Sequence, residues 1–228
     1  MSQLAPPIAD TAGASEDDLV ASLTDMVAHD EFPCLGARSV FRRENATVHV
    51  YDELAAEPAT ANLLGDLTRF AETVDPDAGF ASFVAIFRGP SLPDERAFER
   101  LLWKQLRMLD AHDAAGWNDE VSSDPVDEHF AFSVAGTAFF VVGLHPGASR
   151  DARRTVSPTL VFNLHEQFEA LRASGKYARL RDVIRERDAA LQGTINPMVS
   201  DHGNSSEARQ YSGRAVESDW VAPFEPTP

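Results

Sequence analysis

Four groups of side chains in this 228-residue chain have types and spacings that can do chemistry. Cys34, the sole thiol, sits between Pro33 and the Leu35-Gly36 step, where a following turn can aim backbone N–H groups at sulfur and depress its pKa. A free cysteine is equally at home as a small core residue, and both readings stand at this level. His145 and His165 each follow an apolar run of strand length, Ala138 to Leu144 and Thr159 to Phe162. Imidazole serves as base, proton carrier or metal ligand near neutral pH, although either histidine taken singly also reads as a satisfied interior residue. Between them Arg150, Arg153 and Arg154 crowd three guanidinium groups into a short stretch that also carries Ser149. Arginine presents a planar fork suited to carboxylate or phosphate, and the plain alternative is a solvated loop. The fourth group is polar and C-terminal: Asn196-Pro197-Met198 and then Ser206 to Arg214, with Glu207, Arg209 and Tyr211. Such a segment is surface, or a lid folded over a site.

The elements that must position these residues follow from apolar spacing. Ser15 and Asp18 form a capping-box pattern ahead of Leu19, Leu23, Met26 and Val27, which predicts a helix over 16–29. Pro33 breaks it, and residues 38–41 and 46–51 read as a hairpin turning at Glu44-Asn45. Pro58 opens a helix whose inward stripe is Leu63, Leu64, Leu67, Phe70 and Ala71. The run FASFVAIF at 80–87 is apolar on both faces, as a central strand must be. Asp94 then starts a long helix carrying Phe98, Leu102, Leu106 and Leu109. After an acidic loop at 117–129, residues 130–134 and 137–144 form a second hairpin across Ala135-Gly136. Helices at 168–173 and 177–191, separated by Gly175, complete the ordered part, with Leu180, Val183, Ile184 and Leu191 inward. Strand and helix do not alternate strictly, so the predicted class is α+β: a single domain at 15–216 with helices packed against a mixed β-sheet. Residues 1–14 read as a disordered leader and 217–228 as a tail.

Composition narrows the function classes. A net charge of −16 disfavours nucleic acid and anionic membranes and leans toward a cationic small substrate. One cysteine permits no intramolecular disulfide, no apolar run has spanning length, and the N-terminus has no secretory pattern, so the cytoplasm is the default compartment. Phosphate-loop, dinucleotide, serine-hydrolase and structural-zinc motifs are missing.

The segments FPCLGAR (32–38), FERLLWKQLRML (98–109), FFVVGLHPGASRDARR (139–154), TLVFNLHEQFEALR (159–172) and NPMVSDHGNSSEARQYSGRAV (196–216) together resemble the YqcI/YcgG family. Within it the chain is similar to the branch of haem-dependent N-hydroxylases of guanidino amino acids, which includes the pre-guanitoxin N-hydroxylase. The resemblance implies haem b, dioxygen, electrons from an external reductase, and a substrate such as arginine or an enduracididine-like relative. It also implies one axial ligand, with Cys34, His145 and His165 as candidates. Cys34 ranks first because thiolate favours O–O cleavage, then His145, then His165. Where other members often carry histidine late in the long helix, this chain has Asp110, so that helix is not taken as the ligand source. On the same reading Arg150, Arg153 and Arg154 partner the haem propionates, Glu166, Glu169 or Glu207 meets the substrate guanidinium, and Arg209 holds its carboxylate. Two other classes stay open: a non-haem iron oxygenase using His145, His165 and an acidic neighbour, and a non-catalytic binder of haem or another small molecule.

Overall fold

A computed structural model describes residue 4 and residues 11–75, 79–196 and 206–227. Five strands form one sheet in the order β1-β2-β5-β4-β3. They are β1 (Ala46–Glu53), β2 (Ser82–Gly89), β3 (Phe132–Val134), β4 (Thr137–Leu144) and β5 (Thr159–Leu164). β1 runs parallel to β2 and every other pair is antiparallel, so the expected mixed sheet and α+β single domain are found. β2 lies inside the sheet, and its residues 82–87 are all buried, as its two-faced apolar pattern requires.

Alternation along the strands sends residues to two layers. Phe83, Phe87, Phe139, Val141 and Phe162 face a core built with α3 (Glu57–Thr73) and α4 (Glu95–His112). On α4 the stripe Phe98, Leu102, Trp103, Leu106 and Leu109 is completely buried. Gly143 lets α4 sit close, since a Cβ there would lie 2.6 Å from Phe98 Cε1. The opposite strand residues, Val84, Ile86 and Leu144, pack with Leu19, Leu23, Met26 and Val27 of α1 (Glu16–Ala28). Ser15 caps that helix with the predicted box: its hydroxyl accepts from the Asp18 N–H, and the Asp18 carboxylate accepts from the Ser15 N–H.

Three expectations are corrected. Residues 38–41 are not a strand but part of α2 (Leu35–Arg42), capped by the Cys34 sulfur. A short apolar run does not distinguish helix from strand, and β1 finds its partner in distant β2 rather than in a hairpin. The turn at Glu44 is present, with φ 58°, but it joins a helix to a strand. The expected tail from 217 is anchored to the core through Ala222 and Phe224: Phe224 is 3% exposed, with its ring 6.1 Å from Trp103 and 6.0 Å from Phe130. Of the expected disordered leader, Leu4 is buried and Thr11 donates to the Arg88 carbonyl at 3.3 Å. Residues 1–3 and 5–10 lie outside the described residues. No helix among the described residues is long and apolar enough to cross a membrane.

Candidate functional site

Between the sheet and its α1 side lies a cavity of about 320 Å³, within the range of small-molecule sites. Its floor is Ser82 and Val84 of β2, Val161 and Asn163 of β5, and Val142 and Leu144 of β4. The walls come from α1, α2, α5 (His165–Ala173) and α6 (Tyr177–Gln192). α6 buries only Asp188, and its half-buried Leu180 and Ile184 face the cavity rather than the sheet. Polar clamps hold it instead. Arg150 pairs with Asp188 and donates to Thr194 Oγ1 at 3.0 Å and Thr194 O at 2.7 Å, while Arg187 reaches the carbonyls of Asp30 and Phe32.

Cys34 lines this cavity. α1 ends at Ala28 with His29 as its cap, before Pro33, and the Cys34 sulfur then caps α2, accepting the Ala37 N–H at 3.5 Å. Burial raises the thiol pKa, while the Ala37 and Gly36 N–H groups and the Arg153 charge pull it back down.

The two histidines part company. β4 and β5 are antiparallel, with Leu144 opposite Thr159 and Phe139 opposite Leu164, so strand-end residues His145 and His165 lie at opposite ends of the sheet. At about 3.4 Å per residue that separation is roughly 20 Å, and alternation also puts them on opposite faces. His165 lines the cavity. His145 stacks on Phe98 in the other layer, ring centroids 4.3 Å apart, and its Nδ1 accepts the Gly147 N–H at 3.2 Å. Burial, helped by Arg153 and opposed by Glu95, drives the His145 pKa down to about 4, so it is neutral in the fold. A shared iron site built on both histidines is therefore not assembled, and no group of three or more His, Cys, Asp and Glu among the described residues has metal-holding geometry.

The arginines also separate. Arg150 is committed to Asp188, and Arg154 faces Asp151 at 2.7 Å and does not line the cavity. Arg153 does line it. Its Nη1 donates to the carbonyls of Gly143 and Tyr211, each at 3.2 Å, and no carboxylate pairs with it among the described residues. Burial lowers its pKa to about 10, against the pull of Cys34 and Asp188. Gly213, at φ 82°, leaves room for it, because a Cβ there would fall 2.7 Å from Arg153 Cδ.

Glu166 is exposed on α5 and does not reach the cavity. Arg209 clamps the C-terminal segment, donating to Glu217 O at 2.6 Å and Trp220 O at 2.9 Å, and lies outside the cavity lining. Asn196 lines the cavity, whereas Pro197 and Met198 lie outside the described residues. Glu207 is the acidic candidate that the fold delivers. It is buried, lines the cavity, accepts the Tyr211 hydroxyl at 2.6 Å and lies 3.7 Å from His165 Nδ1, and burial raises its pKa.

Sequence reasoning missed Asn163, whose Oδ1 accepts the Ser82 hydroxyl at 2.7 Å in the floor. Its signal was a polar residue inside the run TLVFNL. Arg172, Arg181 and Arg185 were also missed, although 181 and 185 sit one position beyond the inward Leu180 and Ile184. With them the lining holds five arginines against three carboxylates, Glu128, Asp188 and Glu207. The local charge thus opposes the acidic average of the chain, and the ligand this lining favours carries an anionic group.

This pairing of cysteine, arginine loop and polar C-terminal segment around one cavity uses the same stretches that marked the chain by sequence. The uncharacterised protein YqcI of Bacillus subtilis (strain 168) is 27% identical over 199 residues, covering 83% of this chain and 78% of that protein. No solved structure matches the chain. The YqcI/YcgG family pattern matches residues 23–225, from within α1 to just beyond the buried Phe224, and the chain accordingly belongs to the YqcI/YcgG family.

Proposed function

We propose that the protein is a haem-dependent N-hydroxylase of a guanidino amino acid, using dioxygen and electrons from an external reductase. The observation that carries this reading is the Cys34 sulfur, held at a helix N-terminus in the wall of a cavity with a mostly apolar strand floor and the Arg153 guanidinium, which meets no carboxylate among the described residues. These features fit haem b: the apolar Val84, Val142, Leu144 and Val161 of the floor suit a macrocycle, and Arg153 suits a propionate. Haem, when bound, would supply an iron for dioxygen chemistry in which, with two electrons from the reductase, one oxygen atom goes to nitrogen and the other to water.

The chain's own residues do the remainder. Cys34 loses its proton when it binds a metal, and the Ala37 and Gly36 N–H groups stabilise the resulting thiolate, as does Arg153. Glu207, buried beside His165, offers the carboxylate that a guanidinium must meet, since an unpaired buried cation costs several kcal/mol. α6 forms one wall of the cavity.

Absorption spectroscopy of protein purified from haem-replete cells tests the proposal. A Soret band is expected, with a long-wavelength ferrous–CO band that Cys34→Ser abolishes and His145→Ala and His165→Ala retain. A short-wavelength, histidine-type CO spectrum that only His165→Ala removes would overturn the Cys34 assignment. Colourless protein that takes up no hemin would overturn the haem reading itself. A Soret band without turnover of arginine-like substrates, given dioxygen and reductant, would leave a non-catalytic haem binder.

A further inference from the structure

The sheet ends in two unlike edges. β3 is three residues long, a short edge of the kind that resists pairing, whereas β1 offers eight residues and has β2 as its one neighbour among the described residues. The run ATVHVYDE contains none of the lysine or proline that commonly blunts an edge. Its residues 46–50 are all half-buried. An open groove of about 450 Å³ lies beside it, bordered by Glu16 of α1 and by Asp66 and Arg69 of α3, so neither helix layer closes over the strand.

Register decides which backbone groups are left over. The Ser82 N–H donates to the Asn45 carbonyl at 3.2 Å, and Ala46 aligns with Ser82 across the parallel pair, so Thr47, His49 and Tyr51 turn their N–H and C=O toward β2. Ala46, Val48 and Val50 turn theirs outward, where nothing meets them among the described residues. The Val48 and Val50 side chains lie on the α1 face, half-buried against the core of that layer. Charge is divided between the ends of the strand. Arg42 and Arg43 precede it, with Glu44 the one acid there, and Asp52 and Glu53 close it. All five are exposed, and none makes an ion pair among the described residues.

We infer that β1 is a self-pairing edge, on which a second copy of the chain docks antiparallel about a two-fold axis through Val48, merging the two sheets into one. In that register Ala46 of one copy lies opposite Val50 of the other, and Val48 opposite its own counterpart, so every outward N–H and C=O of these residues finds a partner. The half-buried valines become β-branched cross-strand pairs. Asp52 and Glu53 of each copy come beside Arg42 and Arg43 of the other, at both ends of the ladder. A strand basic at its start and acidic at its end is matched by an antiparallel copy of itself, which is why the occupant is a second copy and not an unrelated strand. The inference is independent of haem and of the substrate.

Sedimentation velocity over a concentration series tests it. Wild type is expected to pass from monomer to dimer as concentration rises. Val48→Pro removes an outward N–H while leaving the bonds to β2, so it should hold the chain monomeric with a native circular dichroism spectrum. Arg42→Glu/Arg43→Glu and Asp52→Arg/Glu53→Arg should each raise the dissociation constant roughly tenfold or more, because each sets like charges together at both ends. Mixed in equal amounts, these two double variants should recover near wild-type affinity, since every end then meets its opposite. Thr47 and His49 of different copies are directly opposed in this register as a non-hydrogen-bonded pair. In a Cys34→Ser background, mild oxidation should therefore link Thr47→Cys/His49→Cys into a covalent dimer, and either single cysteine variant far more slowly. If Val48→Pro does not fold, the mixing experiment carries the test. A wild type that is monomeric at every concentration, a Val48→Pro dimer as tight as wild type, charge variants that associate alone as well as when mixed, or single cysteine variants that link as fast as the double variant overturns the inference.

Discussion

Replacing Asp188 with leucine should unlatch α6. Asp188 Oδ2 takes a guanidinium N–H of Arg150 and the Asn196 N–H at 2.9 Å, and the Arg150 and Asp188 side chains are only 10% and 12% exposed. Breaking a buried pair by removing one partner costs about 3–5 kcal/mol, because the other charge is left buried without its counterion. Arg150 keeps its two bonds to Thr194, so the low end, about 3 kcal/mol, is expected for Asp188→Leu. Arg150→Met alone should cost a similar amount by stranding the carboxylate. Together, Arg150→Met and Asp188→Leu should lie within about 1 kcal/mol of wild type, since an apolar pair of similar volume replaces a buried ion pair nearly neutrally. Urea unfolding with an unchanged m-value measures all three. Single variants within about 0.5 kcal/mol of wild type, or a double variant as costly as the sum of the singles, would refute the latch. Hemin uptake should follow the same order, because the helix so held walls the cavity.

Four shorter predictions concern the rest of the molecule. Burial holds His145 neutral with a pKa of about 4 against 6.5 when unfolded, so its contribution to stability is fully present above pH 6.5 and is lost as pH falls toward 4. The loss is about 3 kcal/mol, and His145→Gln should flatten that part of the stability–pH curve measured by thermal melts. Glu207 works in the opposite sense: its raised pKa means stability is lost as pH rises through the folded value, and Glu207→Gln should remove that loss at neutral pH. Gly143→Ala forces a methyl into Phe98 and Leu102 and should cost about 1–3 kcal/mol by urea unfolding. Gly213→Ala strains a left-handed backbone and displaces Arg153, so it should lower both stability and affinity for carboxylate-bearing ligands in calorimetry.

Much of the fold was legible because local rules agreed with tertiary demands. The Ser15 cap, the stripe Phe98 to Leu109 and the two-faced run of β2 each state their environment in their own spacing. The segment at 38–41 misleads because its few apolar residues fit either period, and the deciding contacts, the Cys34 cap and the pairing of β1 with β2, involve residues outside it. His145 and His165 look equivalent for a similar reason. Each follows an apolar run, but the antiparallel sense of β4 and β5 is a property of the pair and not of either strand. Among the arginines, commitment is a matter of partners: Asp188 is 38 positions from Arg150, and nothing near Arg150 in sequence announces it. The tail was misread because the run WVAPF at 220–224 is too short and Pro-interrupted to announce an element, and the burial of Phe224 depends on an aromatic nest from α4 and β3.

The place of β2 in the sheet has a consequence for biosynthesis. It is apolar on both faces, yet its second neighbour, β5, begins at Thr159, about 70 residues after β2 ends at Gly89. At about 5–20 residues per second that is a delay of roughly 4–14 s, during which β2 has β1 on one edge and nothing on the other. An unpaired apolar edge recruits other strands, so the nascent chain is most prone to aggregate in that interval. Slower synthesis between Gly89 and Thr159 lengthens the exposure, and chaperones that bind extended apolar segments have their natural target in SFVAIF.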